Sequence, residues 1–352
     1  MPAEWEPHHA TWLAWPHFRG DWPGKFEPVP WVYAEIIRNL SRHERVELIV
    51  NDATAEKRAR KTLHLANALS KNVRFHRWPT NRVWTRDSGC TFVCGAGAPA
   101  RRARQDPANL DAITWRFNAW AKYPNYRHDE KIGALMARAA HAREIPAHHC
   151  GTRVVLEGGS IDVNGKGTLL TTEECLLSKV QQRNPGFTRD DYEQIFAAYL
   201  GILKVIWLGR GIAGDDTHGH VDDITRFVAP DTILTMVEPD PQDANHEPLA
   251  DNLRRLKAAS DQDGRPFTIV EMPMPAPVIF EGRRLPASYG NFYIANGIVL
   301  VPVFNDPNDR IALDTLAELF PDREIVPVYS GDLIWGFGAM HCMTQQQPAA
   351  KN

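Results

Sequence analysis

Val46-Glu47-Leu48-Ile49-Val50 reads as a strand, the stretch 53–69 as a helix, and Val73-Arg74-Phe75-His76-Arg77 as a strand again. The two short runs are rich in β-branched and aromatic residues, whereas the stretch between them has the apolar spacing of a 3.6-residue turn. A strand, a helix and a second strand in that order argue for an α/β architecture. The same texture continues downstream, with strands expected at 168–172, 204–208, 233–237, 298–303 and 324–328 and helices at 189–200, 247–259 and 311–319. Asn184-Pro185-Gly186 reads as the loop before the helix at 189, and Pro321-Asp322 stops the one ending at 319.

Certain polar residues stand out among these apolar runs: Asp87, Glu157, His220, Asn291 and Cys342, separated by 70, 63, 71 and 51 residues. Roughly even placement of polar groups at strand ends is what a pseudo-symmetric repeat around one central site would give, although no residue-level identity links the units.

Bulk properties narrow the function classes. Of 352 residues, 43% are hydrophobic and 24% charged, values typical of a globular protein able to bury a sizeable core. The net charge of -3 is spread along the chain without a long single-sign block, which argues against a nucleic-acid or membrane-surface partner. Small-molecule chemistry is the better expectation. Gly95 to Asn109 departs from the texture, being rich in Gly, Ala and Pro with Arg101, Arg102 and Arg104; it reads as a solvated hairpin loop rather than a basic arm. No uninterrupted apolar run approaches the roughly 18 to 20 residues that cross a bilayer. The opening Met1 to Pro7 lacks the basic and apolar regions of a signal peptide, so the expected location is the cytoplasm. Cysteines at 90, 94, 150, 175 and 342 form an odd set without a CxxC pair, as expected for reduced thiols, one of which can be a nucleophile.

Four segments carry the chemistry. Gly338-Ala339-Met340-His341-Cys342 offers a thiol beside an imidazole, and a cysteine attacks as its thiolate. In Gly214-Asp215-Asp216-Thr217-His218-Gly219-His220-Val221-Asp222-Asp223 six of ten residues are titratable, a density that packed carboxylates tolerate poorly without a use for it. On an extended strand His220 and Asp222 would share a face and point into one cavity. The pair His218 and His220 with Asp216 also permits a metal-site reading. Val155 to Asp162 is an apolar run delivering Glu157 into Gly158-Gly159. Val83 to Gly89 delivers Asp87, with Trp84 placed to line an approach; its Arg86-Asp87 pair also reads as a plain surface ion pair.

Together these segments resemble the agmatine deiminase and bacterial peptidylarginine deiminase family, whose fingerprints are Trp-x-Arg-Asp, Glu-Gly-Gly, Gly-His-Val-Asp and a C-terminal His-Cys. The resemblance runs nearly end to end and includes Met1 to Pro7, the Ser288-Tyr289-Gly290-Asn291-Phe292-Tyr293-Ile294-Ala295-Asn296 run and Thr344-Gln345-Gln346. It implies one domain over 1–352: a five-bladed, pseudo-symmetric α/β propeller (a pentein) of ββαβ units with a central site. It further implies Cys342 as nucleophile, His220 as general acid and base, Glu157 as its carboxylate partner, and Asp87 and Asp222 as substrate clamps. Trp84 and Asn291 are weighed as further substrate contacts. The implied activity is hydrolysis of agmatine to N-carbamoylputrescine and ammonia through a covalent thiouronium, with neither metal nor organic cofactor, and with self-association compatible with the family.

The residue types suit that chemistry. A guanidinium is planar and charged, and its N–H fork matches carboxylates. Each such pair is worth about 4 kcal/mol at 4 Å and an effective dielectric near 20, before desolvation. The bound cation also stabilises a nearby thiolate. Two departures from the family pattern bear on substrate choice: Cys90 follows Gly89 where the family has proline, and Gly336-Phe337-Gly338-Ala339-Met340 precedes His341-Cys342. Three rival readings stand beside agmatine: another guanidine deiminase such as one for peptidyl-arginine, a metal-dependent hydrolase using His218 and His220, and a non-catalytic propeller.

Overall fold

In the computed structural model, residues 1–94 and 110–349 are described; the arginine-bearing segment expected as a hairpin loop lies outside them. Among these residues five small sheets share one construction, an antiparallel pair followed by a helix and a parallel strand. The first pairs Thr91–Cys94 with Leu110–Thr114, crosses through helix Ile132–Ala139 and adds Arg143–Pro146. Asp162–Val163 and Thr168–Thr172 lead through helix Arg189–Leu200 to Lys204–Leu208. The third sheet has Thr225–Ala229 and Thr232–Val237, helix His246–Lys257 and Thr268–Pro273. In the fourth, Tyr293–Ala295 and Ile298–Val303 precede helix Asn308–Leu319 and Glu324–Tyr329. The fifth joins the two ends of the chain: Gln345–Pro348 runs antiparallel to His8–Ala14, which is followed by helix Val29–Leu40, Arg45–Val50, helix Ala53–Leu65 and Val73–Arg77.

Local chemistry explains the elements. Strands in parallel pairs are covered on both faces, and Thr168–Thr172 is buried at every position. Helix Val29–Leu40 buries Val29, Tyr33, Ala34, Ile36, Ile37 and Leu40, one stripe at three- and four-residue spacing. Thr188 and Asp191 cap the start of Arg189–Leu200 reciprocally, and Gly201, at φ 70°, ends it in the left-handed conformation glycine favours. The helix expected over 53–69 stops at Leu65, because Asn67 turns to a φ of 53°. Apolar side chains gather in three clusters, the largest of which holds Trp12, Trp22, Trp84 and Cys342. No helix among the described residues is long and apolar enough to cross a membrane.

One feature of the construction places the site. A short turn precedes the first strand of each of four sheets: Thr85–Ser88, Gly158–Ser160, Val221–Asp223 and Tyr289–Asn291. Residues 339–344 take the same place before Gln345–Pro348. Successive turns touch one another. The Arg86 N–H donates to the Cys342 carbonyl (3.3 Å) and the His341 N–H to the Asn291 carbonyl (3.1 Å), which joins the last segment to its neighbours on both sides. The widely spaced polar residues of the sequence therefore sit on equivalent turns that meet.

Candidate active site

Asp87, Glu157, His220, Asp222, Asn291 and Cys342 are all buried and come together. The Asp87 carboxylate is held from both sides, accepting from the Gly159 N–H (3.0 Å) and from Trp120 Nε1 (2.9 Å). His220 Nδ1 lies 3.9 Å from Asp87 Oδ2 and 3.9 Å from Asp222 Oδ1, while Nε2 lies 3.8 Å from Glu157 Oε2. Cys342 Sγ is 3.6 Å from Asp222 Oδ2. Imidazole and thiol thus approach opposite oxygens of one carboxylate. Both His220 nitrogens and Asp222 Oδ1 are buried without a hydrogen-bond partner. Buried polar atoms normally find partners, so the unmet His220 Nδ1 and Asp222 Oδ1, 3.9 Å apart, mark a place built for a polar ligand.

A supporting layer fixes these groups. Asn291 Nδ2 donates to Cys342 Sγ (3.1 Å) and to Asp223 Oδ1 (2.9 Å), and its Oδ1 accepts the His341 and Cys342 N–H groups (3.0 and 3.3 Å). Asn291 thereby holds the Cys342 side chain and backbone in place. Arg183 Nε donates to both oxygens of Glu157 (3.1 and 3.3 Å). His341 sets Nδ1 2.6 Å from Asp222 Oδ2 and Nε2 2.8 Å from Glu4 Oε2. Glu4 also accepts from Arg86 (3.1 Å), Arg226 (2.9 Å) and the Ile294 N–H (2.9 Å). Arg86 and Asp87 are consequently no surface ion pair: both are buried, and Arg86 serves Glu4 and Gln346 instead.

Two local geometries differ from the sequence expectation. His220 and Asp222 do approach each other, with Nδ1 3.9 Å from Oδ1, but through the turn Val221–Asp223 that His220 precedes, not along an extended strand. The ligand set of the metal reading does not assemble. Asp216 is taken by Lys122 Nζ (2.7 Å) and the Tyr123 hydroxyl (2.6 Å), and His218 faces Ser178 Oγ (3.1 Å) and Glu174 (3.8 Å). The His, Cys and acidic triplets that do converge, Glu157 with Cys175 and His220, and Asp222 with Asp223 and Cys342, contain neither residue. Glu157 is moreover already paired with Arg183 (3.1 Å).

Electrostatics assign protons. Burial first, then Asp222, Asp223 and Asp87, push the Cys342 thiol well above its ordinary range, with the Asn291 contact a smaller opposing effect. Burial disfavours the charged form of His220, yet Asp87, Cys175 and Glu157 outweigh it and hold the imidazole well above its usual value. For Glu157, burial is outweighed by Arg183 and His220, leaving the carboxyl below its ordinary value. Burial raises Asp87, only partly offset by His220. The resting site pairs a neutral thiol with an imidazolium between acids, an arrangement that can donate a proton at once and can form a thiolate when a further cation arrives.

The pocket above these groups has a volume of about 80 Å³ and is lined by Cys342, Asp87, Trp84 and Trp120 among others. Trp84 packs on Trp22 (5.8 Å between ring centres) and walls the approach. Cys90, the departure from the family's proline, is a buried core thiol raised far above its normal range by desolvation. Sequence reasoning missed Asp223, Trp120, Arg183, Glu4 and the structural part of His341. Asp223 and His341 stood inside quoted motifs, whereas Trp120 and Arg183 sit in stretches with no pattern to read.

The sequence model of the Porphyromonas-type peptidyl-arginine deiminase family matches residues 1–348. The agmatine deiminase of Pseudomonas syringae pv. tomato is 34% identical over 372 residues, spanning 99% of this chain and 95% of the relative. Among solved structures, the agmatine deiminase of Enterococcus faecalis superposes with a TM-score of 0.87 at 29% identity, over 99% of this chain and 95% of that one. A C. jejuni agmatine deiminase variant with substrate bound gives 0.85 at 28% identity, over 100% and 96%.

Proposed function

The chain belongs to the Porphyromonas-type peptidyl-arginine deiminase family, and from that premise we propose that it is an agmatine deiminase that releases ammonia from the guanidinium and leaves N-carbamoylputrescine. The named relatives support the substrate. The observation that carries the chemistry is the shared carboxylate of Asp222, with His220 at one oxygen and Cys342 at the other.

The guanidinium is clamped by Asp87 and Asp222, which supplies the donors that Asp222 Oδ1 lacks. Its positive charge offsets the three carboxylates that raise the Cys342 thiol, and each pKa unit recovered is worth about 1.4 kcal/mol. Sulfur bonds to the central carbon as its proton is lost. The His220 imidazolium protonates one amino group, the C–N bond breaks, and ammonia leaves with the thiol's proton as ammonium. A thiouronium remains on Cys342. Neutral His220 then takes a proton from water as the oxygen adds to the carbon. Collapse breaks the C–S bond, the adduct's hydroxyl proton returns to sulfur, and thiol and imidazolium are restored beside a ureido product. Glu157, held by Arg183, orients the imidazolium as a carboxylate does in other triads.

Five similar sheets, whose turns touch in succession, support a five-bladed propeller with the site on its axis. Since segments from 4 to 342 supply the site, 1–352 works as one unit.

The test is formation of ureido product from agmatine, arginine and an arginyl peptide, with Cys342→Ser as control. Agmatine should be converted and the variant should be inert. Substantial product from the variant would overturn the covalent route, and product only from the peptide would overturn the substrate.

A further inference from the structure

The pocket that reaches Cys342 is also lined by a second set of charges, Asp21, Arg82 and Asp216. Asp216 is saturated: Lys122 Nζ (2.7 Å) and Arg283 (3.3 Å) donate to one oxygen and the Tyr123 hydroxyl (2.6 Å) to the other. Asp21 is not. Its Oδ1 accepts from Arg82 NH1 (2.9 Å), while Oδ2 is buried without any partner, on a side chain only 10% exposed. Arg82 does not supply the missing bond: its other terminal nitrogen reaches Asn125 Oδ1 (3.3 Å), its plane is packed over Tyr123 at 4.2 Å, and its Nε is itself buried without a partner. A buried, half-satisfied carboxylate in a substrate pocket asks for a cationic donor.

We propose that Asp21 Oδ2 receives the primary ammonium at the far end of agmatine, making Asp21 the residue that sets specificity for a second cation. The assignment rests on the agmatine reading above and extends it to the amine end. Trp84 and Trp120, which line the same pocket, suit the butyl stem between the two charges. Arginine keeps that amine and adds a carboxylate on the same carbon, which would lie against Asp21, and that repulsion is the negative side of the selection. Burial, offset in part by Arg82 and reinforced by Asp216, lifts the Asp21 carboxyl to about 7. An arriving ammonium is the kind of partner that restores its ionised form.

Initial rates with agmatine and with butylguanidine, the same chain without the amine, test this on the purified full chain and on Asp21→Asn. Wild type should prefer agmatine. Loss of one charged hydrogen bond should cut kcat/KM for agmatine by about tenfold to a hundredfold, mostly through KM, and leave butylguanidine within about threefold. An equal loss for both substrates would reduce Asp21 to a structural role and overturn the proposal. So would a wild type indifferent to the amine, whatever the variant's folding. Ureido product from neither compound would instead overturn the deiminase reading itself, a result distinguishable because it appears before any substitution is made.

Discussion

Gly159 stands where the reacting groups converge. A methyl on its Cα would lie 2.5 Å from His220 Nδ1, 3.0 Å from Asp222 Oδ2 and 3.1 Å from Asp87 Oδ1. Gly159→Ala should therefore push apart His220, the proposed acid, and Asp87 and Asp222, the proposed clamps. We expect kcat to fall on the order of a hundredfold, the cost of about 1 Å of misplacement, with the melting temperature nearly unchanged; near-wild-type turnover would show that the three groups need not converge. The raised Cys342 thiol gives a second test. Neutral iodoacetamide should label it slowly at pH 7, whereas a cationic amidine electrophile, which brings its own charge to the clamps, should label it much faster; equal rates would mean that the resting cysteine is already a thiolate. Asp21 gives a third. Its carboxyl is raised, so it ionises as pH rises through about 7, and the preference for agmatine over butylguanidine should grow across that window and level off above it. Arg82, Asp216, Asp129, Tyr33 and Tyr123 share its surroundings, so only the ratio of the two substrates isolates Asp21. A flat ratio from pH 6 to 8 would count against an ionising Asp21 at the amine.

Elements were legible where periodicity speaks for itself. Thr168–Thr172, Lys204–Leu208 and Arg189–Leu200 begin and end where their sequence predicts. Short first strands such as Asp162–Val163 carry too few residues for a period to show. The candidate site was legible through its motifs: Asp87 and Glu157 interrupt apolar runs, His220 lies in a densely titratable segment, and the family resemblance ties them to Cys342. Their supports were not, since Arg183 and Trp120 acquire meaning only from residues far away in the chain. His220 and Asp222 illustrate the limit: two-residue spacing suggests a strand, whereas a tight turn brings the same pair together. Glu4 belongs to this scale, as the turn before His8–Ala14 carries it beneath three others. Burial opposes its charge, but Arg226, His341 and Arg86 outweigh burial and hold its carboxyl well below the usual range. A lowered carboxyl contributes stability above its unfolded value, about 4.3, and that contribution is lost as pH falls further. Glu4→Ala leaves Arg86 and Arg226 buried without their shared acid and should destabilise by about 3–5 kcal/mol in urea titration at pH 7. It should also lower activity by freeing His341 from one of its two carboxylates. An unchanged denaturation midpoint would sink this account of the buried network.

At the scale of the molecule, the two chain ends meet in one sheet. Gln345–Pro348 pairs with His8–Ala14 in register Thr11 to Gln346 and Trp12 to Gln345, and Ala349 N–H donates to the Pro7 carbonyl (2.7 Å). Cys342 lies three residues before that strand, and the Thr85 hydroxyl, which donates to the Met343 carbonyl (2.7 Å), fastens the intervening segment. Cys342, the proposed nucleophile, is thus held by the seam that joins the ends of the chain, not by the sheet that supplies His220. Ending the chain after Thr344 keeps every proposed reacting residue but removes the edge strand of that seam. The remaining strand His8–Ala14 would expose a row of unpaired backbone groups beside buried Trp12. We expect such a chain to lose most of its activity and to melt earlier and less cooperatively by circular dichroism, since an edge that frays locally lets the Cys342 segment drift from Asp222. Full activity with an unchanged melting curve would mean that Asn291 and Thr85 alone position the sulfur, and that closing the seam serves the fold without serving the chemistry.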